Sequence, residues 1–100
     1  MNEVQLSINE QQEGMFFIKN GDDILGEMVF SLSPTHLTVY HTEVAQMPET
    51  KGFAGKLLDA MVDYARNHAL KVIPLCPYVH LQFKRHPEKF ADLWDGDEEA

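Results

Sequence analysis

The chain has one cysteine, no long apolar run and almost no positive charge in its first half. A single thiol closes no internal disulfide, which excludes a disulfide-stapled secreted fold and a cysteine-rich zinc module. No segment reaches the roughly 18 apolar residues of a membrane-crossing helix, and the polar start MNEVQLSINEQQEG lacks the basic and apolar regions of a signal peptide. A cytoplasmic location is the expectation, with no membrane partner. Of eight Lys and Arg only Lys19 precedes residue 51, and the net charge is −8. That balance argues against nucleic acid, whose phosphates are bound by Lys and Arg.

The remaining cations are concentrated. Lys51, Lys56, Arg66, Lys71, Lys84, Arg85 and Lys89 face only Asp59, Asp63 and Glu88 between residues 51 and 91, before the chain turns acidic again from Asp92. A positive region on an acidic protein suits a small anionic ligand held on one side. A solvated helix face with ordinary surface lysines is the plainer reading.

One hundred residues, 44% of them hydrophobic and 24% charged, allow a single core. The expectation is one domain over residues 1–94 and a charged, mobile tail over 95–100. The first half is patterned as strands: Val4 to Asn9, Met15 to Lys19, Ile24 to Phe30 and His36 to Val44, with turns at Asn20-Gly21 and Ser33-Pro34. Asn20 and Gly21 both tolerate positive φ, so the spacing predicts a type I′ hairpin. Strict alternation puts Leu37, Val39 and His41 on one face of the fourth strand. After Pro48 the period changes to three and four: Phe53, Leu57, Ala60 with Met61, Tyr64 and His68 line one side of a helix over 52–68. Lys71 to Leu75 reads as a short buried strand. Tyr78 to Leu93 reads as one or two short helices broken at His86-Pro87. The result is a mixed α+β fold, with an antiparallel meander leading into a βαβ unit whose second strand runs parallel to the first.

In such a unit ligands sit beyond the carboxyl ends of the strands. The loop Glu49-Thr50-Lys51-Gly52-Phe53-Ala54-Gly55-Lys56 opens the helix there, so free backbone N–H groups and the positive helix end face that edge. Gly52, Ala54 and Gly55 are small enough for a phosphate to approach, and Lys51 and Lys56 add charge. A helix start with a glycine kept for packing fits the same residues. Cys76, at the carboxyl end of the last strand, points toward the same cleft. It is either a small buried hydrophobe or a thiol made reactive by the helix start that follows. His41 on the neighbouring strand is the candidate to exchange a proton with it, the alternative being a half-buried sheet histidine. His36, His80, His86 and Cys76 show no recurrent zinc spacing, so no metal is expected.

These blocks resemble a known family. Tyr40-His41-Thr42-Glu43-Val44, Pro48-Glu49, Lys51-Gly52-Phe53-Ala54-Gly55, Val72 to Val79 with its Leu-Cys-Pro-Tyr, and Arg85-His86-Pro87-Glu88 look like the minimal, roughly hundred-residue subgroup of the GNAT acetyltransferase superfamily. The resemblance implies a mixed, mostly antiparallel sheet whose central parallel strands splay apart beside Val44 and Leu75, admitting the pantetheine arm of coenzyme A. It implies that the pyrophosphate lies on the backbone of residues 51–56. Gly52 and Ala54 match the superfamily's phosphate loop, and Glu49 departs from its usual Gln or Arg. It further implies that Cys76, with His41 nearby, is catalytic and carries the acetyl group transiently, whereas larger members transfer directly with a base and a tyrosine acid.

Three readings follow. The first is an acetyl-CoA-dependent N-acetyltransferase acting on an exposed lysine or peptide amine, as a monomer or weak dimer. In it Val44, Lys51, Gly52, Phe53, Ala54, Gly55 and Lys56 hold the cofactor, and Phe83 and Arg85 help at the nucleotide end. The second is a coenzyme A or acyl-CoA binding module without catalysis, and the third a scaffold whose acidic hairpin face meets a basic partner.

Overall fold

The computed structural model describes residues 3–96. Four antiparallel strands come first, β1 (Gln5–Ile8), β2 (Glu13–Asn20), β3 (Asp23–Leu32) and β4 (His36–Val44). A 3-10 turn at Pro48–Thr50 precedes helix α1 (Phe53–Asn67), which leads to β5 (Lys71–Pro74) and helix α2 (Pro77–Arg85). The sheet order is β1-β2-β3-β4-β5, and only the β4–β5 pair is parallel. The expected mixed α+β architecture with a meander and one βαβ unit is therefore present.

One face of the sheet is buried. Phe16, Ile18, Met28, Phe30, Leu37, Val39 and Val72 point to it and form a single cluster with Phe53, Leu57 and Met61 of α1 and Val79 and Phe83 of α2. Each fully buried side chain of this size contributes on the order of 1.5–3 kcal/mol of transfer free energy. Helix α1 is amphipathic as expected, with Lys56, Asp59, Asp63, Arg66 and Asn67 all exposed. The buried stripe is wider than the predicted one, because Leu58 and Val62 are also covered. His68 lies outside it. It is exposed at the helix end, stacked 3.9 Å from the Tyr64 ring.

The turn of the first hairpin needs correction. The first hairpin turns on Gly21 and Asp22, since Asn20 still pairs with Asp23, and only Gly21 has positive φ (63°). That is the φ pattern of a II′ turn, which requires glycine at the first central position, rather than of type I′. Of the one or two helices expected over 78–93 one forms, ending at Arg85 before the His86-Pro87 break, and turns follow it. They still cover the core, through Phe90 stacked on Phe83 and through Leu93, whose carbonyl accepts the Val72 N–H at 2.8 Å. Of the expected mobile tail, Asp95 has its carboxylate 3.3 Å from Lys71 Nζ, and residues 97–100 lie outside the described residues.

Helix α1 ends in a Schellman motif: the Leu70 N–H reaches Ala65 O at 2.9 Å and the Ala69 N–H reaches Arg66 O at 3.2 Å. The residue that turns left-handed to allow this is Ala69, at φ 54°. A side chain there is strained by roughly 1–2 kcal/mol. Ala69→Gly is expected to raise the stability by about 1 kcal/mol, read as a higher midpoint in thermal or urea unfolding.

A second tie joins α1 to the C-terminal segment. Arg66 donates through Nε to Asp92 Oδ2 (2.9 Å), and through its Nη2 to Asp92 Oδ1 (3.2 Å) and Lys89 O (2.8 Å). The hydrogen bonds from Arg66 hold the Asp92 carboxyl below its ordinary value. A depressed carboxyl contributes stability above its unfolded pKa, about 3.9, and loses it as pH falls through the lower folded value. Acid titration of unfolding is expected to show Asp92→Asn shallower than the parent below about pH 4. At neutral pH the loss is at most about 1 kcal/mol, since the pair is solvent-exposed.

Candidate active site

Strands β4 and β5 run together for only four residue pairs, His36 with Lys71 through Val39 with Pro74. A last bond, from the Cys76 N–H to Val39 O at 2.9 Å, closes the pairing, and β5 then gives way to α2 while β4 continues to Val44. β5 ends on Pro74, whose nitrogen, in phase with that of Val72, faces the outer edge of the sheet and not β4. The Ala45 N–H donates to Leu25 O on β3, so in an antiparallel ladder Glu43 also faces β3. By the same alternation the N–H and C=O groups of Thr42 and Val44 point the other way, to the edge that β5 has left. The result is a fork, with a strip of backbone that no strand pairs along one arm, where the Gln46 side-chain amide reaches the Val44 carbonyl at 3.5 Å, and Cys76 at its apex.

A β-bulge sets which side chains line that arm. The register steps from Phe30–Val39 to Val29–His41, so Tyr40 is the extra residue. Beyond it the faces exchange: Thr42 and Val44 take the buried side, and His41 joins Val29 on the other. The expected sharing of a face by Leu37, Val39 and His41 is therefore corrected. The Thr42 hydroxyl lies 3.3 Å from Cys76 Sγ, and His41 Nε2 lies 3.5 Å from Glu27 Oε2 across the outer face. Tyr40 also turns outward, its phenol 2.6 Å from Ser31 Oγ. Glu27, His41 and Glu43 bring one ligand atom each to within 4.8 Å of one another. This is a different group from the His36, His80, His86 and Cys76 set weighed from the sequence.

Cys76 is 1% exposed and occupies the N-cap of α2. Its thiol thus sits at the positive end of a nine-residue helix, with one polar neighbour and otherwise core around it. Two residues on, burial pushes the Tyr78 phenol above its ordinary pKa, with Asp59 and Cys76 adding to the shift. Tyr78 therefore stays protonated at neutral pH.

The loop joining β4 to α1 is fixed by Thr50, the one buried polar side chain among the described residues. Its hydroxyl lies 2.6 Å from Ala45 O and 2.9 Å from Met47 O, and accepts the Met47 N–H at 3.3 Å. Gly52 caps α1 at φ 84°, a left-handed conformation. A Cβ there would touch nothing within 4 Å, so the glycine serves the turn rather than tight packing. The first helical bond runs from the Lys56 N–H to Gly52 O, which leaves the N–H groups of Phe53, Ala54 and Gly55 without a helical partner. Lys51 and Lys56 are exposed beside them, and Lys56 Nζ lies 5.6 Å from the centre of the buried Phe53 ring.

The fold thus brings Val44, residues 51–56 and Cys76 to the carboxyl ends of the parallel pair, where the βαβ argument expects a ligand. It does not bring His41 to the thiol. Phe83 is a correction: it is wholly buried, stacked on Phe90 at 4.6 Å and tilted against Trp94, and has no surface to offer a nucleotide. Arg85 is exposed in the last turn of α2, where its charge meets the negative helix end. Thr42, Thr50 and Tyr78 are the site residues that sequence reasoning passed over. Thr50 and Tyr78 stand inside blocks it quoted, and Thr42 is unrecognisable without the bulge.

The sequence profile of the family described as GCN5-related N-acetyl-transferase matches residues 15–93. The chain belongs to that family. Two solved structures resemble this N-acetyltransferase chain. One is the NMR solution structure of a protein assigned as a GCN5-like N-acetyltransferase from Staphylococcus aureus, with TM-score 0.68 and 25% identity over 99% of this chain and 95% of that one. The other is the crystal structure of a ribosomal-protein-alanine N-acetyltransferase from Brucella melitensis, with TM-score 0.63 and 17% identity over 91% of this chain and 67% of that one. The second shows likeness of fold alone. No curated protein sequence matches significantly. GCN5-related N-acetyltransferases use acetyl-CoA as co-substrate and pass its acetyl group to an acceptor. The fork and the open helix start fit that molecule, since backbone donors and two lysines suit a pyrophosphate and free strand edges suit the amides of pantetheine. Among the described residues no helix is long and apolar enough to cross a membrane.

Proposed function

We propose that this chain binds acetyl-CoA in the β4–β5 fork and transfers the acetyl group to an amine by way of Cys76. The observation that carries this reading is the fork itself: Thr42 and Val44 backbone that β5 has left unpaired on one arm, with the Val44 carbonyl accepting from the Gln46 side chain at 3.5 Å, the α1 N-terminus below, and a thiol at the apex. In the proposed complex the pantetheine amides bond to Thr42 and Val44, and the pyrophosphate accepts from the N–H groups of residues 52–55 with Lys51 and Lys56 alongside. Arg85 is left as an outer contact for the nucleotide, and Phe83 has only a packing role.

The sulfur of Cys76 forms a bond to the acetyl carbon while the bond to the coenzyme A sulfur breaks, and the proton lost by the Cys76 thiol is made good on that leaving sulfur, so that one thioester and one thiol replace another pair. Thr42, 3.3 Å from Sγ, orients the thiol, and in this reading the Tyr78 phenol, kept protonated by burial, gives its proton to the leaving sulfur and takes that of the thiol. His41 acts on the other side of the sheet, as a base for the incoming amine. A second reading, direct attack of the amine on the thioester with Tyr78 as acid, is favoured by one observation: Cys76 is nearly inaccessible before the fork is occupied. Because a thioester is already activated, either route gains chiefly from positioning.

The chain is read as one domain on the strength of its single core from Phe16 to Leu93. A monomer is supported by the outer edge of β5, where the Val72 N–H is taken by Leu93 and Pro74 has none, so no strand can add there easily. The binding half of the proposal is tested by titrating acetyl-CoA into Lys51→Ala/Lys56→Ala. Affinity is expected to fall about tenfold at low salt, with the gap narrowing as salt rises. Unchanged affinity would remove the phosphate from this helix start.

A further inference from the structure

One face of the sheet carries both helices, and among the described residues no element covers the other. No outward-pointing strand side chain is buried: Met15, Phe17 and Val29 are half-buried by their strand neighbours alone, and Ile73 is 39% exposed. Met15, Phe17 and Val29 form an apolar centre in the cross-strand register, with Met15 opposite Val29 and Phe17 opposite Glu27, and Ile73 lies on the same face beyond Thr38 of β4. The surrounding charge is of one sign. Glu13, Glu27 and Glu43 share this face, and the last two converge with His41 beside the fork. Among the described residues the cations in phase with it are Lys19, near the hairpin turn, and Lys71, which is held by Asp95. A second copy of the chain would bring the same glutamates face to face, on a molecule whose net charge is already −8. The charge complementarity therefore favours a basic occupant.

We propose that this open face docks an extended, cationic polypeptide segment and that one of its lysines reaches the fork from this side. The inference rests on the acetyltransferase reading and adds the class of acceptor to it. Apolar side chains of the segment cover Met15, Phe17, Val29 and Ile73, and its flanking Arg or Lys residues meet Glu13, Glu27 and Glu43. The lysine ammonium gives one proton to the Glu27–His41–Glu43 group. Its nitrogen then forms a bond to the acetyl carbon as the carbon–sulfur bond breaks, and the departing sulfur takes the nitrogen's second proton. The carboxylates thus both attract the ammonium and accept the proton that must leave it before it can attack.

The test uses the full chain with acetyl-CoA and peptides carrying one central lysine flanked by arginine, serine or glutamate. The arginine-flanked peptide is expected to exceed the glutamate-flanked one by about tenfold or more in kcat/KM, with the difference shrinking as salt rises. Amide NMR shifts on adding that peptide are expected at Met15, Phe17 and Val29, and Glu13→Lys, distant from the fork, is expected to reduce the preference while leaving acetyl-CoA affinity unchanged. Equal rates on all three peptides, equal rates on a small free amine, or shifts confined to the helical face would overturn the docking proposal and leave the acetyltransferase reading standing. Shifts at the same residues that depend on protein concentration without peptide would assign the face to a second copy, and overturn it also. Failure to bind acetyl-CoA would instead remove the underlying reading, and the proposal with it.

Discussion

Cys76→Ala is expected to lower acetyl transfer by about 10³-fold or more while acetyl-CoA still binds with near-parental affinity. The two effects separate because the proposed contacts to the coenzyme, the Thr42 and Val44 backbone and residues 51–56, lie outside the substituted side chain. Removing one buried sulfur costs on the order of 1 kcal/mol of stability, too little to unfold the chain. Cys76→Ser retains a hydroxyl at the site beside Thr42 but replaces a good nucleophile by a poor one, and it should be as inactive as alanine. Tyr78→Phe supplies the contrast. If amine attack is direct, Tyr78→Phe is the damaging change and Cys76→Ala the mild one, so measuring kcat for both variants decides between the routes.

Gly14→Ala is expected to cost about 3 kcal/mol of stability, the largest effect foreseen for a single methyl group. Gly14 pairs with Ile8 across β1 and with Phe30 across β3. A Cβ built there would overlap the Ser7 carbonyl oxygen and lie 2.9 Å from Cζ of Phe30 and 3.1 Å from Cγ1 of Ile8. The carbonyl belongs to strand backbone, and Phe30 is wholly buried, so neither yields cheaply. The relief open to the molecule is to shift β1, a four-residue edge strand with all its residues exposed. Acetyl-CoA binding should change little, because the fork lies at the opposite end of the sheet order. Urea unfolding of the variant reads the first effect, and a parent-like midpoint would show that β1 is not seated against Gly14 as described.

Much of this architecture is legible in the sequence, and the failures have local causes. Helix α1 announces itself because an amphipathic stripe of fifteen residues is a long signal, and β4 because alternation and β-branching agree over Leu37 to Val39. Counting by twos then fails at Tyr40. A bulge adds one residue without any distinctive side chain, and every position beyond it changes face. His41 was thereby read as a partner of Cys76, and Thr42, which stands beside the thiol, was not weighed. The open helix start at residues 51–56 could be found because glycines and lysines before a helix carry their own physical argument. Phe83 misled because an apolar residue on a short helix near a proposed site reads alike whether it meets a ligand or, as here, Phe90 and Trp94. The open sheet face was invisible for a different reason: half-buried Met15, Phe17 and Val29 look like core until the described residues are seen to place no layer above them.

The central claim, that the fork places acetyl-CoA against Cys76, is tested most directly by native mass spectrometry of the chain mixed with acetyl-CoA. The expected result is a one-to-one complex together with a single acetyl group retained on the chain, mapped by peptide fragmentation to Cys76 and absent from Cys76→Ala. A chain that shows neither the complex nor the adduct, under conditions where it remains folded, would contradict the account.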